Sequence, residues 1–460
     1  MTIMPACATR VVPALLAILA APLAAQQVRL HTSTTARYVQ LRPIAYDSAS
    51  GTFRALPVAA AAPLTEDVEV SAWGLGITGL RAYALLRGRA ALGSELVWPR
   101  FDDHVQTMVA FVELERPRYR VRAGRQHRAS GLGWYAFDGL AGTWRMRGTF
   151  RAEVYGGRGY ARGFLEPAGS EALRAVDPLQ PEQGRLLFGA SLWAAPTRAS
   201  ALTAVYQREI LSDRSGLVSE RAALDARIGL GPVLITGAVD ADLATEQWGK
   251  ARLAALVRLR QRSFLEAEVF RYRPILDLTT IWGVFSPEAH WGVTATARFG
   301  PARGVTVSGG WTHRRYEPVT STTPFLRDVG DDADQLTAGV RLTPGDLVLD
   351  AGYRLQLGFG GAQSGGDLVV AYAPPGWRIG ARAAAFQQQE LFRVADGTVV
   401  GLGAEFAARL TDRLAVRADM MRYLHRRLEG QVGADWSQTR GQLAVDWTFG
   451  ANPDRPRTYP

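Results

Sequence analysis

Cysteine is almost missing from this chain: the only one among 460 residues is Cys7, in an N-terminal stretch that reads as a leader. The rest of the sequence can therefore hold no disulfide, no thiolate-bound metal and no lipid-anchored cysteine. Lysine is equally scarce, with Lys250 alone, so the formal charge of +10 is carried by arginine. The arginines are spread through nearly every segment with no basic run, a pattern that speaks against nucleic acid as a partner and for lasting pairs with carboxylates. Long apolar runs are missing too. Beyond residue 25 the longest, Ala55 to Leu64, is broken by Pro57 and Pro63, and a spanning helix needs about 20 apolar residues in succession.

What is present makes a foldable, exported chain. A content of 47% hydrophobic and 21% charged residues, with 48 Gly and 24 Pro, lies away from disorder, collagen and disulfide scaffolds. Residues 1–25 place Arg10 ahead of the apolar stretch Val11 to Leu23 and end in Ala24 and Ala25, the form of a secretory signal peptide cleaved near Ala25. With no helix to span a bilayer, such a chain can cross one only as a closed β-barrel, because every backbone amide in hydrocarbon must be paired within the protein.

The alternation that a barrel requires runs from about residue 66 to the C-terminal end. Leu443, Val445, Trp447 and Phe449 share one face of a strand, and Gln442, Asp446 and Thr448 the other. Further upstream Leu347, Leu349, Ala351, Tyr353, Leu355, Leu357 and Phe359 oppose Asp346, Asp350, Gly352, Arg354 and Gln356. The same holds for Val400, Leu402, Ala404, Phe406 and Leu410 against Glu405 and Arg409, and for Leu253, Val257 and Leu259 against Arg252, Arg258 and Arg260. This is the period of strands with one face to lipid and the other to a polar interior. A soluble sandwich also alternates, but one of this size would be split or interrupted.

The connections alternate as well. Tight turns fall near Ile77–Gly79, Arg116–Pro117, Met146–Gly148, Pro196–Arg198, Gly231, Gln261–Arg262, Pro301–Arg303, Pro344–Gly345, Pro374–Gly376 and Thr411–Asp412. Between them lie longer connections near 93–104, 127–136, 157–184, 211–219, 243–249, 272–289, 315–333, 358–366, 388–398 and 427–436. Short periplasmic turns and long outer loops give about 22 antiparallel strands, within a range of about 18–24. Residues 26–65 would hold a first strand, Val28 to Ile44, and a loop segment; residues 66–449 the remaining barrel; residues 450–460 a periplasmic tail. The first strand either closes the barrel or lies inside it.

On these residues the sequence resembles the bacterial outer-membrane β-barrel (porin-like) superfamily over roughly residues 28–449. Its last strand, Gln442 to Phe449, is similar to the aromatic-ended signal such proteins present to the barrel-insertion machinery, although Gly450 to Pro460 follow it. The resemblance implies a place in the outer membrane, contact with its lipid, and passage of small solutes.

Catalytic patterns are sparse. The histidines His31, His104, His127, His290, His313 and His425 are never two in a near pair, and no His-Glu-x-x-His or Gly-x-Ser-x-Gly occurs. Five of the six fall near the outer rim. Asp102-Asp103-His104 has the residue types with which outer-membrane proteases activate water, yet a general base needs a second polar group on a neighbouring loop to hold that water. Gly131-Leu132-Gly133 and Gly156-Gly157-Arg158-Gly159 lack the strand-then-helix setting of a phosphate cradle and read as flexible loops. No catalytic residue, metal or other cofactor is expected.

The inward charges are more informative. Arg118, Arg120 and Arg122 fall on one side of a strand, and a two-residue turn at Arg116–Pro117 would set Glu115 opposite Arg118 and Glu113 opposite Arg120. A hairpin turning at Gln261–Arg262 would bring Arg258 near Glu266, with Arg260 and Glu268 on the same face. Arg354, Arg417 and Asp350 complete the candidate lining. Cross-strand pairs contribute about 0.2–1 kcal/mol each and are screened in a water-filled lumen, so they read equally well as wall struts or as a lining that favours anions. Trp73, Trp193, Trp311, Trp377, Trp447 and Phe449 are expected in the interfacial girdle.

A barrel of this strand number closes at about 40 Å across the backbone, leaving a lumen of roughly 20–25 Å that something must narrow. Segment 157–184, with Pro167, Pro178 and Pro181, or the stretch Tyr46 to Leu64 would fold inward. A separate plug domain, as in siderophore transporters, finds no room in the sequence. The reading that follows is a channel for small hydrophilic, anionic solutes. The alternative is a wide sheath filled by an exported partner such as a multihaem cytochrome, whose haem would be its own because this chain has no Cys-x-x-Cys-His. A barrel enzyme or adhesin comes third.

Overall fold

The computed structural model describes residues 27–42, 44–47, 52–94, 97, 104–146, 149–162, 184–212, 216–260, 262–273, 289–317, 331–358, 362–389, 397–427 and 436–450. The leader at 1–25, the tail beyond Gly450, Asp102, Asp103 and most of 157–184 lie outside them.

In chain order the strands are β1 (Gln27–Leu41), β2 (Ile44–Asp47), β3 (Thr52–Ala55), β4 (Ala59–Trp73), β5 (Leu80–Gly93), β6 (Val105–Glu115), β7 (Tyr119–Ser130) and β8 (Gly133–Met146). They continue with β9 (Phe150–Arg162), β10 (Arg185–Thr197), β11 (Ser200–Leu211), β12 (Leu217–Leu230), β13 (Val233–Asp242), β14 (Gln247–Arg260), β15 (Ser263–Tyr272) and β16 (His290–Ala302). The last are β17 (Val305–Tyr316), β18 (Asp332–Leu342), β19 (Leu347–Gly358), β20 (Ala362–Tyr372), β21 (Trp377–Gln389), β22 (Gly397–Thr411), β23 (Leu414–Arg427) and β24 (Trp436–Gly450).

Each strand from β4 onward pairs antiparallel with the next, and β1 pairs with both β4 and β24. The result is a closed barrel of 22 strands among the described residues, with β2 and β3 forming a separate hairpin in the connection from β1 to β4. The seam runs from Arg29 opposite Gly450 to Gln40 opposite Thr439. Two side-chain bonds cross it: Ser33 Oγ donates to Asp446 Oδ1 at 2.8 Å, and His31 Nδ1 lies 3.0 Å from Thr448 Oγ1. Closure matters because it leaves no strand edge with unpaired amides.

Period-two alternation decides which face is which. On β22, Leu402 (64% exposed) and Leu410 (59%) point outward with Phe406, while Glu405 points inward to Arg378 on β21. Short connections sit where backbone geometry demands them: Gly231, with φ of 62°, makes the link from β12 to β13 in the left-handed region that a side chain rarely enters.

Three connections expected to be long are short. β7 and β8 are joined by Gly131 and Leu132 alone, β13 and β14 by residues 243–246, and β19 and β20 by residues 359–361. Likewise Gly156-Gly157-Arg158-Gly159 is part of strand β9 and not a loop. Glycine there reflects close packing: Gly157 pairs with Gly139 of β8, and a Cβ added to Gly157 would lie 2.6 Å from the Gly139 Cα. Composition alone reads such glycines as flexibility.

Leu402→Arg places a charge in the outward apolar band and is expected to destabilise the barrel by about 2–4 kcal/mol. Ala384→Arg, on the inward face of neighbouring β21, should cost little. Urea unfolding of barrels refolded in lipid vesicles measures both, and equal losses would mean that the two faces share one environment.

Candidate functional site

The inward faces of β5 to β9 carry the densest charge. Glu113 of β6 is fully buried (0% exposed), and its carboxylate accepts Nε and Nη2 of Arg122 at 2.8 and 2.6 Å. Arg81 of β5 closes on it from the other side, and Arg120 lies at 4.0 Å. Strand pairing dictates this trio, since Arg81, Glu113 and Arg122 stand opposite one another across β5, β6 and β7. Glu153 of β9 is bound by Arg128 and by Thr143 Oγ1 at 3.3 Å, with Arg120 at 4.0 Å. Glu115 pairs with Arg145 and lies 3.9 Å from Arg81. Three guanidinium groups lie over rings: Arg122 over Phe111 at 4.1 Å, Arg128 over Tyr155 at 4.2 Å and Arg151 over Trp193 at 5.4 Å.

The pairing differs from the expected one by two residues. The β6–β7 turn takes in Arg116, Pro117 and Arg118, closed by the Arg116 amide donating to the Tyr119 carbonyl at 2.8 Å. Glu115 therefore faces Arg120 and Glu113 faces Arg122, while Arg118 is left exposed beyond the strand. That bond encloses Pro117 and Arg118, one residue later than expected, and Pro117, with no amide proton to donate to a ladder, suits the turn itself.

The second hairpin shifts too. A bulge between Arg258 and Arg260 puts them opposite Phe264 and Ser263, so Glu266 and Glu268 face Leu256 and Ala254. Both carboxylates go to Arg252 instead, at 3.8 and 2.8 Å. Elsewhere on the inner wall Arg417 binds Asp446 at 2.7 Å, Arg341 lies 3.7 Å from Asp350, and Arg354 stands opposite Thr337 and Gly365.

The aromatic positions divide. Trp377, Trp447 and Phe449 stand on the outward face near the short turns, where Trp447 and Phe449 lie 4.2 Å apart and Trp377 meets Tyr372 at 5.4 Å. Trp311 is also outward, its Nε1 donating to Asp334 Oδ1 at 3.0 Å beside His313. Trp73 and Trp193 do not lie on the outward girdle. The register aligns Trp73 with Gln27 and Arg81 on the inner face, and Trp193 with Thr203 under the Arg151 guanidinium. Both sit one residue out of phase with a lipid-facing position.

The most consequential feature is the tip of the β7–β8 hairpin. Ser130 pairs with Gly133, and Tyr135 OH donates back to the Leu132 carbonyl at 3.1 Å, so the link is folded tightly. That tip reaches β12, four strands along the wall. A Cβ on Gly131 would lie 2.9 Å from the Ala223 Cβ. Arg221 of β12 donates to the Leu132 carbonyl at 3.1 Å and to Tyr135 OH at 3.2 Å, and holds Asp240 of β13 at 2.9 Å. Strands sit about 4.8 Å apart, so a contact skipping β9, β10 and β11 requires the tip to lean inward from the wall. Beneath it Leu132, Tyr135, Phe137 (1% exposed), Tyr155, Leu187, Val205 and Ala223 form one buried cluster. Tyr155 OH donates to Gln207 Oε1 at 3.0 Å, and Gln207 Nε2 to Glu209 at 3.1 Å.

Sequence reasoning missed Arg81, Arg128, Arg151, Arg221 and Arg252. Each meets a partner on another strand, and Arg221 meets one 89 residues away. The histidines lie apart: His104 Nδ1 is 3.4 Å from the Arg89 carbonyl, and His313 Nδ1 is 3.1 Å from Asp334 Oδ1. Among the described residues no group of three His, Cys, Asp or Glu is placed to hold a metal ion.

Arg221 and Asp240 are 9% and 8% exposed, and removing one partner of such a pair leaves a buried charge unmatched. Arg221→Ala is expected to cost about 3 kcal/mol in urea unfolding, and Arg221→Ala with Asp240→Ala to recover part of that loss. A double mutant no better than the single one would show that the ion pair does not anchor the tip.

Compared by sequence, the chain matches no protein-family model and no curated protein. Compared by structure, it is similar to OccAB2 of Acinetobacter baumannii at 12% identity and a TM-score of 0.43, with 93% of this chain and 98% of that one covered. It is also similar to a BenF-like porin from Pseudomonas fluorescens Pf-5, at 10% identity, a TM-score of 0.45 and 93% and 100% coverage. The ferric citrate transporter FecA in its unliganded form is similar at 13% identity and a TM-score of 0.49, over 92% of this chain and 79% of that one. The barrel itself is closed, 22-stranded and antiparallel, apolar outside and charged within.

Proposed function

We propose that the chain is a passive outer-membrane channel for small hydrophilic solutes, preferring anions, with its lumen narrowed by the inward β7–β8 hairpin. The observation that carries this reading is the tip of that hairpin bound to Arg221: part of the wall itself occupies the space that a conducting barrel of this width must restrict. The narrowing element in this reading is a strand hairpin; segment 157–184 lies mostly outside the described residues, and Ala59 to Leu64 of the other candidate stretch belong to wall strand β4. A sheath around a separate protein needs a bore clear from wall to wall, and the cluster from Leu132 to Ala223 takes up part of it.

Preference for anions follows from charge that the wall does not neutralise. Arg298 and Arg354 face the lumen, and neither forms an ion pair among the described residues. Unpaired guanidinium groups along a water-filled bore raise the local concentration of anions and admit them in preference to cations. The paired arginines, such as Arg122 and Arg417, serve the wall first.

In planar bilayers under a potassium chloride gradient the purified barrel should conduct steadily, with a reversal potential on the anion side. Arg298→Glu with Arg354→Glu should move that potential toward cations. A silent barrel would overturn the channel reading, and an unmoved potential would remove these two arginines from its selectivity.

A further inference from the structure

The geometry points to a binding site for a doubly charged tetrahedral oxyanion, of the phosphate class, in the cavity beside the inward hairpin; the assignment rests on the lumen being open to solutes and adds a ligand to that reading. The cavity has a volume of about 250 Å³, several times the roughly 30 Å³ share of one water molecule. Arg120 and Arg122 of β7, Arg128 near the hairpin tip and Arg151 of β9 line it, with Ser191 of β10 and Thr203 of β11 on the strands beside them.

Charge selects the ligand first. Glu153 is the one carboxylate lining the cavity among the described residues, and Glu113 stands behind Arg122. Four guanidinium groups against one lining carboxylate leave a surplus of three positive charges, unchanged when Glu113 is counted with the Arg81 that shares it, and a dianion answers that surplus better than a monoanion. Arg151 forms no ion pair among the described residues; its nearest described neighbour of note is the Trp193 ring. Arg128 Nε is buried with no hydrogen-bond partner, a donor left over after its ion pair with Glu153.

Shape selects next. Phe111, Tyr155 and Trp193 each cover one face of a guanidinium, and a stacked guanidinium offers only the N–H groups at its edge. Hydroxyl donors continue the same wall, Ser191 in register with Glu153 and Thr203 with Trp193. A ligand that meets donors from several neighbouring strands needs several acceptors, which a phosphate oxygen set supplies and a planar carboxylate, with two oxygens and one charge, does not.

Isothermal titration of the full-length barrel in detergent with inorganic phosphate, at about pH 8 where the second charge is present, should show binding at least about tenfold tighter than that of acetate. Binding should weaken at about pH 5, where phosphate holds one charge. Arg151→Ala should weaken phosphate binding by about tenfold or more while heat-modifiable gel mobility still reports a folded barrel, Arg151→Lys should fall between, and Arg303→Ala, in the exposed turn between β16 and β17, should leave it unchanged. Equal affinity for acetate and phosphate, or an Arg151→Ala barrel that binds as well as the parent, would overturn the assignment. Conductance separates the two readings: a barrel that binds phosphate but passes no current keeps the site and loses the channel, and one that conducts without affinity for phosphate loses the site alone.

Discussion

Every feature of this molecule depends on the pairing of backbone amides where no water can reach them. In hydrocarbon an unpaired amide or carbonyl costs several kcal/mol, so β1 must find β24 across the whole length of the chain. The seam from Arg29–Gly450 to Gln40–Thr439 meets that demand. Once the sheet is closed, alternate side chains have only two destinations. Leucine, valine and the Trp447–Phe449 pair go out; arginine and its carboxylates go in. The inner wall is polar because the ladder leaves it no choice, and its function is assembled from what the ladder happens to place there.

Period two was legible in the sequence and decided the fold class, the strand number and the face of nearly every charged residue. Leu402 against Glu405 and Leu357 against Arg354 need only parity. Register was not legible to the same degree. A turn centred one residue later, on Pro117–Arg118, moved Glu113 from Arg120 to Arg122, and one bulge at Arg258–Arg260 gave Glu266 and Glu268 to Arg252. Faces survive a two-residue shift but partners do not. Trp73 and Trp193 fail for the opposite reason, because a tryptophan near a strand end suits an interface by type while the ladder puts it on the inner wall. The inward hairpin lay furthest from view. Gly131-Leu132-Gly133 looks flexible in isolation, and only Arg221, far along the chain, shows that it is held.

The near-absence of lysine acquires a meaning on this wall. Glu113 is shared by Arg81 and Arg122, Glu405 by Arg378 and Arg382, and Glu266 and Glu268 by Arg252. A planar fork can aim two N–H groups at a carboxylate and lie on a ring at once, as Arg122 does with Glu113 Oε2 and Phe111, whereas an ammonium group is a point charge with a strong hold on water. Individually such pairs are worth about 0.2–1 kcal/mol. Their use is positional: they fix guanidinium groups in known places along a wall that has no packed core behind it.

In the proposed channel, position would decide selectivity because of screening. At physiological ionic strength the Debye length is about 8 Å, while an unobstructed barrel of this width offers a bore of roughly 20–25 Å. Across such a bore an ion near one wall does not feel the other, and arginines spread round the circumference would act only on the layer of solution beside them. Where the hairpin tip reaches Arg221, Ala223 and Asp225, four strands along, it takes up part of that bore beside the arginines of β7 to β9. An anion passing through the proposed channel would there be held closer to those charges. In that reading the inward hairpin and the arginine wall act as one device: without the first, a solute would hardly feel the second.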